Sequence, residues 1–227
     1  MAGIISTSED GKRTLADHVQ RRIREAILKQ ELKPGDRVDQ NQIAEKLDVS
    51  LAPVREALRA LEAEGLVKII PRRGAFVTEM SITDLNNLYF ARALIEGETI
   101  YHAVLYLTKT DLDALSKLVN RMYEAADTND VNTYIPLNRE FHLRIYQALQ
   151  NQHLLQMIQQ LWERSELYRY QYMFMQHDNE RIHREHLAIL DACQRRDQEA
   201  AKAAAVGHIE GTQRELNRFF EEHLDRD

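Results

Sequence analysis

The stretch Asn41-Gln42-Ile43-Ala44-Glu45-Lys46-Leu47-Asp48-Val49-Ser50-Leu51-Ala52-Pro53-Val54-Arg55-Glu56-Ala57-Leu58-Arg59-Ala60-Leu61 decides how the first third of the chain folds. Ile43, Ala44 and Leu47 share one side of a short helix, and Asp48-Val49 supplies a turn. Ser50 then stands as N-cap of a second helix in which Val54, Ala57, Leu58 and Leu61 recur at helical spacing. Two short helices joined by a tight turn form a helix-turn-helix. Beyond Gly65 the pattern changes to a strand-like Leu66-Val67-Lys68-Ile69-Ile70, a basic turn at Pro71-Arg72-Arg73-Gly74 and a second strand, Ala75-Phe76-Val77-Thr78. A hairpin with a basic tip after the second helix makes the motif winged.

Working outward, Leu15, Val19, Ile23, Ile27 and Leu28 form a helical stripe from Thr14, a candidate N-cap, and Leu32-Lys33-Pro34-Gly35 ends that helix. Residues 1–13 lack apolar periodicity and read as a flexible arm. The whole chain has 227 residues, 44% of them hydrophobic, enough for two domains: 14–79 and 80–227. Its single cysteine, Cys193, excludes an internal disulfide framework. No apolar run approaches the ~18 residues of a membrane span or resembles a secretory signal, so the expected compartment is the cytoplasm, with no membrane partner. The net charge of −6 is unevenly distributed. Residues 1–79 hold 14 Lys and Arg against 13 Asp and Glu, whereas residues 80–227 hold 16 against 23. A near-neutral module still binds phosphates when its basic groups gather on one surface.

Residues 14–79 resemble the DNA-binding domain of the GntR superfamily of bacterial transcription regulators. The resemblance is carried by Leu32-Lys33-Pro34-Gly35-Asp36-Arg37-Val38, Pro53-Val54-Arg55-Glu56-Ala57-Leu58, Leu61-Glu62-Ala63-Glu64-Gly65-Leu66-Val67 and Arg73-Gly74-Ala75-Phe76-Val77. It implies double-stranded operator DNA as partner, approached by Asn41, Ser50, Arg55, Arg72, Arg73 and Gly74, with Arg59 one turn along the recognition helix. The family usually has Arg directly after the capping residue. Here Leu51-Ala52 stand there and cannot make a bidentate guanine contact. Apart from the resemblance, Arg55 is also placed to pair with Glu62 or Glu25.

From Ser81 onward the chain reads as helix after helix, without strand-like alternation: 82–107, 111–127, 131–150, 152–177, 179–195 and 198–223. Pro136 inside the third predicts a bend or a delayed start. The fold class is therefore mainly α, an N-terminal winged helix-turn-helix domain followed by an all-α antiparallel six-helix bundle. Asn138 and His142, four residues apart, lie on one face of the third helix. If the last two helices form a hairpin turning at Arg196-Asp197, His186 and His208 both stand ~15 to 17 Å from the turn at ~1.5 Å per residue. Three imidazoles and a side-chain oxygen at one level suit a divalent transition metal such as zinc or nickel. Nine histidines occur in all. His183, one turn from His186, is the competing candidate, and His102, His153, His177 and His223 fit solvent-facing or helix-end positions.

This second half resembles the FCD-type ligand-binding domain of the FadR subfamily. The matching residues are Asn138-Arg139-Glu140-Phe141-His142, Asn151-Gln152-His153-Leu154, Glu185-His186-Leu187-Ala188-Ile189-Leu190, Arg196-Asp197 and Ala200 to His208. The resemblance implies a metal on Asn138, His142, His186 and His208, and a small organic acid effector that reaches the metal's open positions and Arg92. Asn138 stands where the family usually has Asp, which removes one negative charge. Arg92 keeps two readings, an effector clamp or an ion pair with Glu96. Tyr89, Tyr134, Tyr146 and Tyr168 line a cavity or fill the bundle, and Trp162 is assigned to packing. The function implied is that of a homodimeric, effector-controlled repressor and not an enzyme. A metal-dependent hydrolase, a metal-responsive regulator and a metal-free regulator are the alternatives.

Overall fold

The computed structural model describes residues 14–173 and 179–223, excepting the side chains of 170–173 and 223. The expected arm over 1–13, His177 and the side chain of His223 lie outside the described residues. The chain divides into two compact units, the break falling between Met80 and Ser81.

The first unit runs α1 (Leu15–Leu28), β1 (Arg37–Val38), α2 (Gln40–Lys46), α3 (Leu51–Ala63), β2 (Val67–Ile70) and β3 (Gly74–Val77). Thr14 and Asp17 close a capping box at the start of α1, satisfying two amides that would otherwise lack partners. Val19, Ile23 and Ile27 of α1 are buried, as are Val54, Leu58 and Leu61 of α3, and the two helices pack together. Glu64, the C-cap of α3, accepts from Gln20 at 2.6 Å and pairs with Arg24, fixing α1 to the end of α3. Asp48 takes φ +51° in the tight turn between α2 and α3, a conformation Asp tolerates better than most residues. The sheet order is β1-β3-β2, all antiparallel, with Val67 opposite Val77, Ile70 opposite Gly74 and Arg37 opposite Phe76. The hairpin follows the sequence expectation. The third strand, β1, does not appear there, because two residues are too few to show alternation.

The second unit is helical throughout its described residues: α4 (Ile82–Ala103), α5 (Lys109–Asp127), α6 (Val131–Gln147), α7 (Gln152–Arg164), α8 (Glu166–Met173), α9 (Asn179–Arg195) and α10 (Gln198–His223). Its core includes Ile100, Leu115, Val119, Phe141, Ile158 and Ile189. The fourth helix expected from sequence is two pieces. At Ser165 the hydroxyl donates to the Trp162 carbonyl at 3.1 Å, and Arg169 donates to the same carbonyl at 2.9 Å. Side chains thereby satisfy a carbonyl that continuing helix would have used, and α7 stops with Ser165 fully buried. The delayed start at Pro136 does not occur. Asp130 caps α6 by accepting from Thr133, and the helix begins at Val131 and runs through the proline.

Arg196, at φ +53°, makes the turn between α9 and α10 and donates to the carbonyls of Val104 and Leu107 just beyond α4, at 2.9 and 2.6 Å. Asp197 caps α10 by accepting from Ala200 at 3.0 Å. The α9–α10 hairpin is thus tied to the end of α4. Further along, α4 and α10 approach closely at Gly97, where an added Cβ would lie 2.7 Å from Cγ2 of Val206. Gly97→Ala therefore lowers the thermal midpoint of the helical unit. Overpacking costs about 1 to 3 kcal/mol, against a helix-propensity gain of up to about 1 kcal/mol. Adding Val206→Ala restores the midpoint, a coupling that a double-mutant cycle followed by circular dichroism measures.

Candidate DNA interface and candidate metal centre

On the first unit, Asn41, Ser50, Arg55, Arg59, Arg72 and Arg73 are all exposed, and Gly74 is half-buried. Asp39 caps α2 by accepting from the amides of Asn41 and Gln42, leaving the Asn41 side chain outside the cap. Ser50 occupies the N-cap of α3 as expected, but its hydroxyl makes no capping bond. The reason lies in the sequence: the third residue of α3 is Pro53, which has no amide hydrogen to offer. The hydroxyl at the start of the recognition helix is left available for a ligand.

Arg55 pairs with neither Glu62 nor Glu25. Its Nε donates to Gln40 at 3.4 Å, linking α3 to the start of α2. Glu62 accepts from the Ile69 amide at 2.9 Å. At the wing, Arg72 and Gly74 have φ +63° and +109°, which turns the hairpin tightly, and Arg73 lies 5.8 Å from the centre of the Phe76 ring. The Arg37 guanidinium lies beside Gly74. This third arginine at the wing comes from β1, and sequence reasoning quoted it in a motif without assigning it a role. Asn41, Ser50 and Arg55 stand at the starts of α2 and α3, and Arg59 one turn further along α3, so the face carries polar donors among a few cations.

In the helical unit the structure gathers His142 from α6, His186 from α9 and His208 from α10. One ring nitrogen from each lies within 4.8 Å of the others. His142 and His186 are buried. The Nδ1 of His186 lies 2.9 Å from the Ile182 carbonyl, which only accepts, so Nδ1 carries the proton there. The Nδ1 of His208 lies 2.8 Å from Oε2 of Glu185, which fixes its tautomer in the same way. Burial, then the neighbouring imidazoles, holds the pKa of both His142 and His186 well below the ordinary histidine range. Neutral rings with Nδ1 protonated present Nε2 as a bare lone pair. At His186 that lone pair meets Oδ1 of Asn138 at 2.9 Å, one acceptor facing another as the amide is drawn. The buried Nδ1 of His142 has no hydrogen-bond partner. Bare, uncharged nitrogens converging beside an amide oxygen fit a divalent transition metal. His183 lies tilted against Tyr123, with ring centres 4.2 Å apart, and stays outside the cluster.

A cavity of about 610 Å³, its open mouth included, lies against this cluster. Tyr89, Arg92, Tyr134, Asn138, His142, Trp162, Arg169 and His208 contribute to its lining. Arg92 is buried, and the structure realises its ion pair with Glu96, Nε to Oε1 at 2.7 Å. Burial opposes the charge on Arg92, yet Glu96 and neighbouring tyrosines hold its pKa above the usual value. Glu96 also accepts from Tyr146 at 2.9 Å. Beyond Glu96, Arg92 sets its guanidinium carbon 4.9 Å from the centre of the Tyr89 ring, and it lines the cavity. The ion-pair reading of Arg92 is realised, and the residue also lines the cavity.

Two residues here escaped the sequence reading. Trp162, assigned to packing, lines the cavity with its Nε1 buried and unpartnered. Arg169 lines it too, from α8, and its Nε is likewise buried without a partner. Burial, then the charge of Arg92, lowers the pKa of Arg169 to about 10. Because the break at Ser165 reorients α8 relative to a continuous helix, spacing from α7 gave no signal for Arg169.

Among known proteins, residues 15–77 match the family model of bacterial regulatory proteins, gntR family, and residues 87–211 match that of the FCD domain. The HTH-type transcriptional regulator YdhC of Bacillus subtilis (strain 168) is 27% identical over 201 residues, covering 88% of this chain and 90% of that one. The HTH-type transcriptional repressor RspR of Escherichia coli (strain K12) is 25% identical over 223 residues, 97% of each chain. Among solved structures, E. coli McbR/YncC aligns with a TM-score of 0.76 at 26% identity, covering 92% of this chain and 99% of that one. No helix among the described residues is long and apolar enough to cross a membrane.

Removing both wing arginines, Arg72→Ala with Arg73→Ala, weakens binding to any duplex. It also flattens the slope of log K against log salt by about 2, since each phosphate contact contributes ~0.9. Fluorescence anisotropy on a generic DNA fragment at several salt concentrations measures the slope.

Proposed function

This chain belongs to the GntR family of bacterial regulatory proteins and carries an FCD domain after its winged helix, and from that premise we propose a cytoplasmic repressor whose hold on operator DNA is set by a small carboxylate effector. It is a DNA-binding transcriptional regulator. The observation that carries the effector reading is the grouping of three imidazoles, two of which, His142 and His208, line the same cavity as Arg92. A similar protein named as a repressor supports that sign of regulation. Phe90 and Leu94, one turn apart on α4, are 66% and 57% exposed and support a homodimer. Two winged helices would then read half-sites about one helical turn apart.

His142, His186, His208 and Asn138 would hold a divalent transition metal, zinc or nickel. The ion supplies Lewis acidity and an open position for a carboxylate oxygen. The chain's own residues do the rest. Ile182 and Glu185 hold His186 and His208 in the tautomer that turns a lone pair inward. Arg181 pairs with Glu185 and Glu215, and together with the hydrogen bond from His208 it keeps the Glu185 carboxyl ionised against its burial. The amide of Asn138 serves in either state: its NH2 group can face His186 when no cation is bound, and its oxygen can face a cation. Arg92, already oriented by Glu96, offers its guanidinium to the carboxylate in fork geometry. Both carboxylates beside the cluster are engaged, Glu96 by Arg92 and Tyr146 and Glu185 by His208 and Arg181, which argues against a hydrolytic base.

Regulation is a linkage. An effector that binds one arrangement of the dimer more tightly shifts operator affinity by the coupling free energy, typically ~1 to 3 kcal/mol. The first test is elemental analysis of protein purified without a metal-affinity tag. About one divalent metal per chain is expected, lost in His142→Ala while the variant keeps its helical circular dichroism. Equal, negligible metal in both proteins contradicts the metal part of the reading and leaves a metal-free regulator.

A further inference from the structure

Of the six buried side-chain polar atoms without a partner among the described residues, four belong to residues lining the cavity beside the histidine cluster: Tyr89, His142, Trp162 and Arg169. Native interiors rarely leave such atoms unpaired, and their gathering around one space marks what the space lacks. Three of the four are donors: the hydroxyl of Tyr89, the indole N–H of Trp162 and the Nε–H of Arg169. The missing component is therefore rich in acceptors.

The charges say more. Arg92 has Glu96 as its counter-ion. Arg169 has no ion pair with any carboxylate among the described residues; its one hydrogen bond is to the Trp162 carbonyl, at 2.9 Å, and Glu166, one turn before it on α8, acts on its charge only from a distance. Arg139, half-buried, adds a third guanidinium 5.6 Å from the centre of the Trp162 ring, with no carboxylate paired to it among the described residues. The candidate metal ligands are three imidazoles and an amide, so a cation held there would keep its whole charge. One carboxylate group, with about four lone-pair sites, is largely engaged by an open metal position and the Arg92 fork. It leaves Arg169 and Trp162 unanswered. The Arg92 and Arg169 guanidinium carbons lie 5.7 and 5.0 Å from the same ring centre. They are thus at most about 11 Å apart, within the reach of one small molecule.

We propose that the cavity takes a short aliphatic dicarboxylate, one carboxylate directed to Arg92 and the histidine cluster and the second to Arg169 and the Trp162 indole. This rests on the reading of the cavity as an effector site and names the class of effector. Trp162 lies within 6 Å of both guanidinium carbons, and Tyr134 and Ile209, which also line the cavity, give the methylene chain apolar contact.

The test is isothermal titration calorimetry on the full chain in a buffer free of carboxylates and phosphate. The probes are succinate, its monoamide succinamate and butyrate. The pair succinate and succinamate differ by one charge at nearly constant shape. Succinate is expected to bind about tenfold to a hundredfold more tightly than succinamate, the range of one charge-assisted hydrogen-bonded contact. Arg169→Gln abolishes that preference and leaves succinamate affinity within about threefold. Arg169→Lys, which keeps the charge in place, retains part of the preference, and Arg92→Gln weakens all three acids. Equal affinity for succinate and succinamate in the parent chain, or a preference that survives Arg169→Gln, overturns the proposal. In either case, monocarboxylate binding that still depends on Arg92 leaves the effector site itself standing. Absence of binding by all three acids overturns both.

Discussion

A buried neutral imidazole has one nitrogen that donates and one that waits, and the helical unit depends on how two such rings, His142 and His186, stand beside His208. The Ile182 carbonyl and the Glu185 carboxylate each take the Nδ1 proton of a histidine. The bare nitrogens have to turn toward one another as a result. Burial forbids the alternative of charging the rings, which is why His142 and His186 stay neutral well below the usual range. A bundle with leucine at these positions would gain apolar contact and lose the hydrogen bonds to Ile182 and Glu185. The polar arrangement makes sense as a site kept ready for a ligand, with Arg92 and Arg169 extending it along Trp162.

The candidate DNA-reading face obeys a different rule. Its polar side chains are exposed, and its cations stand along α3 and at the wing tip, where the turn at Arg72 and Gly74 presents them. Pro53 frees the Ser50 hydroxyl from the cap it would otherwise make, and Gln40 steadies Arg55 from the neighbouring helix. The acidic excess of the chain belongs to residues 80–227, so it does not cancel the few positive groups that would meet phosphate.

Much of this was legible in the residues. The stripe Val54, Ala57, Leu58 and Leu61 could face only a core, and all four are buried in α3. The hairpin placing His186 and His208 at one level followed from equal spacing about Arg196-Asp197, and the two ring centres are 4.6 Å apart. What failed to show were features made by exceptions to regular spacing. A serine hydroxyl and an arginine on one carbonyl broke the helix at Ser165, and with it went the register that would have placed Arg169 in the cavity. β1 was too short to alternate, so Arg37 received no role from spacing. Arg92 could not be settled by spacing, because one guanidinium has edges enough for both an internal carboxylate and a ligand.

The account's central claim is that occupancy of the helical cavity controls the grip on DNA. The most direct measurement is the equilibrium affinity for an operator, selected from genomic fragments by the protein itself, with and without a saturating acid that calorimetry has shown to bind. The account predicts a shift of about 5- to 150-fold, the span of ordinary coupling energies, that disappears in Arg92→Gln. An operator affinity that stays the same while the cavity fills would contradict it.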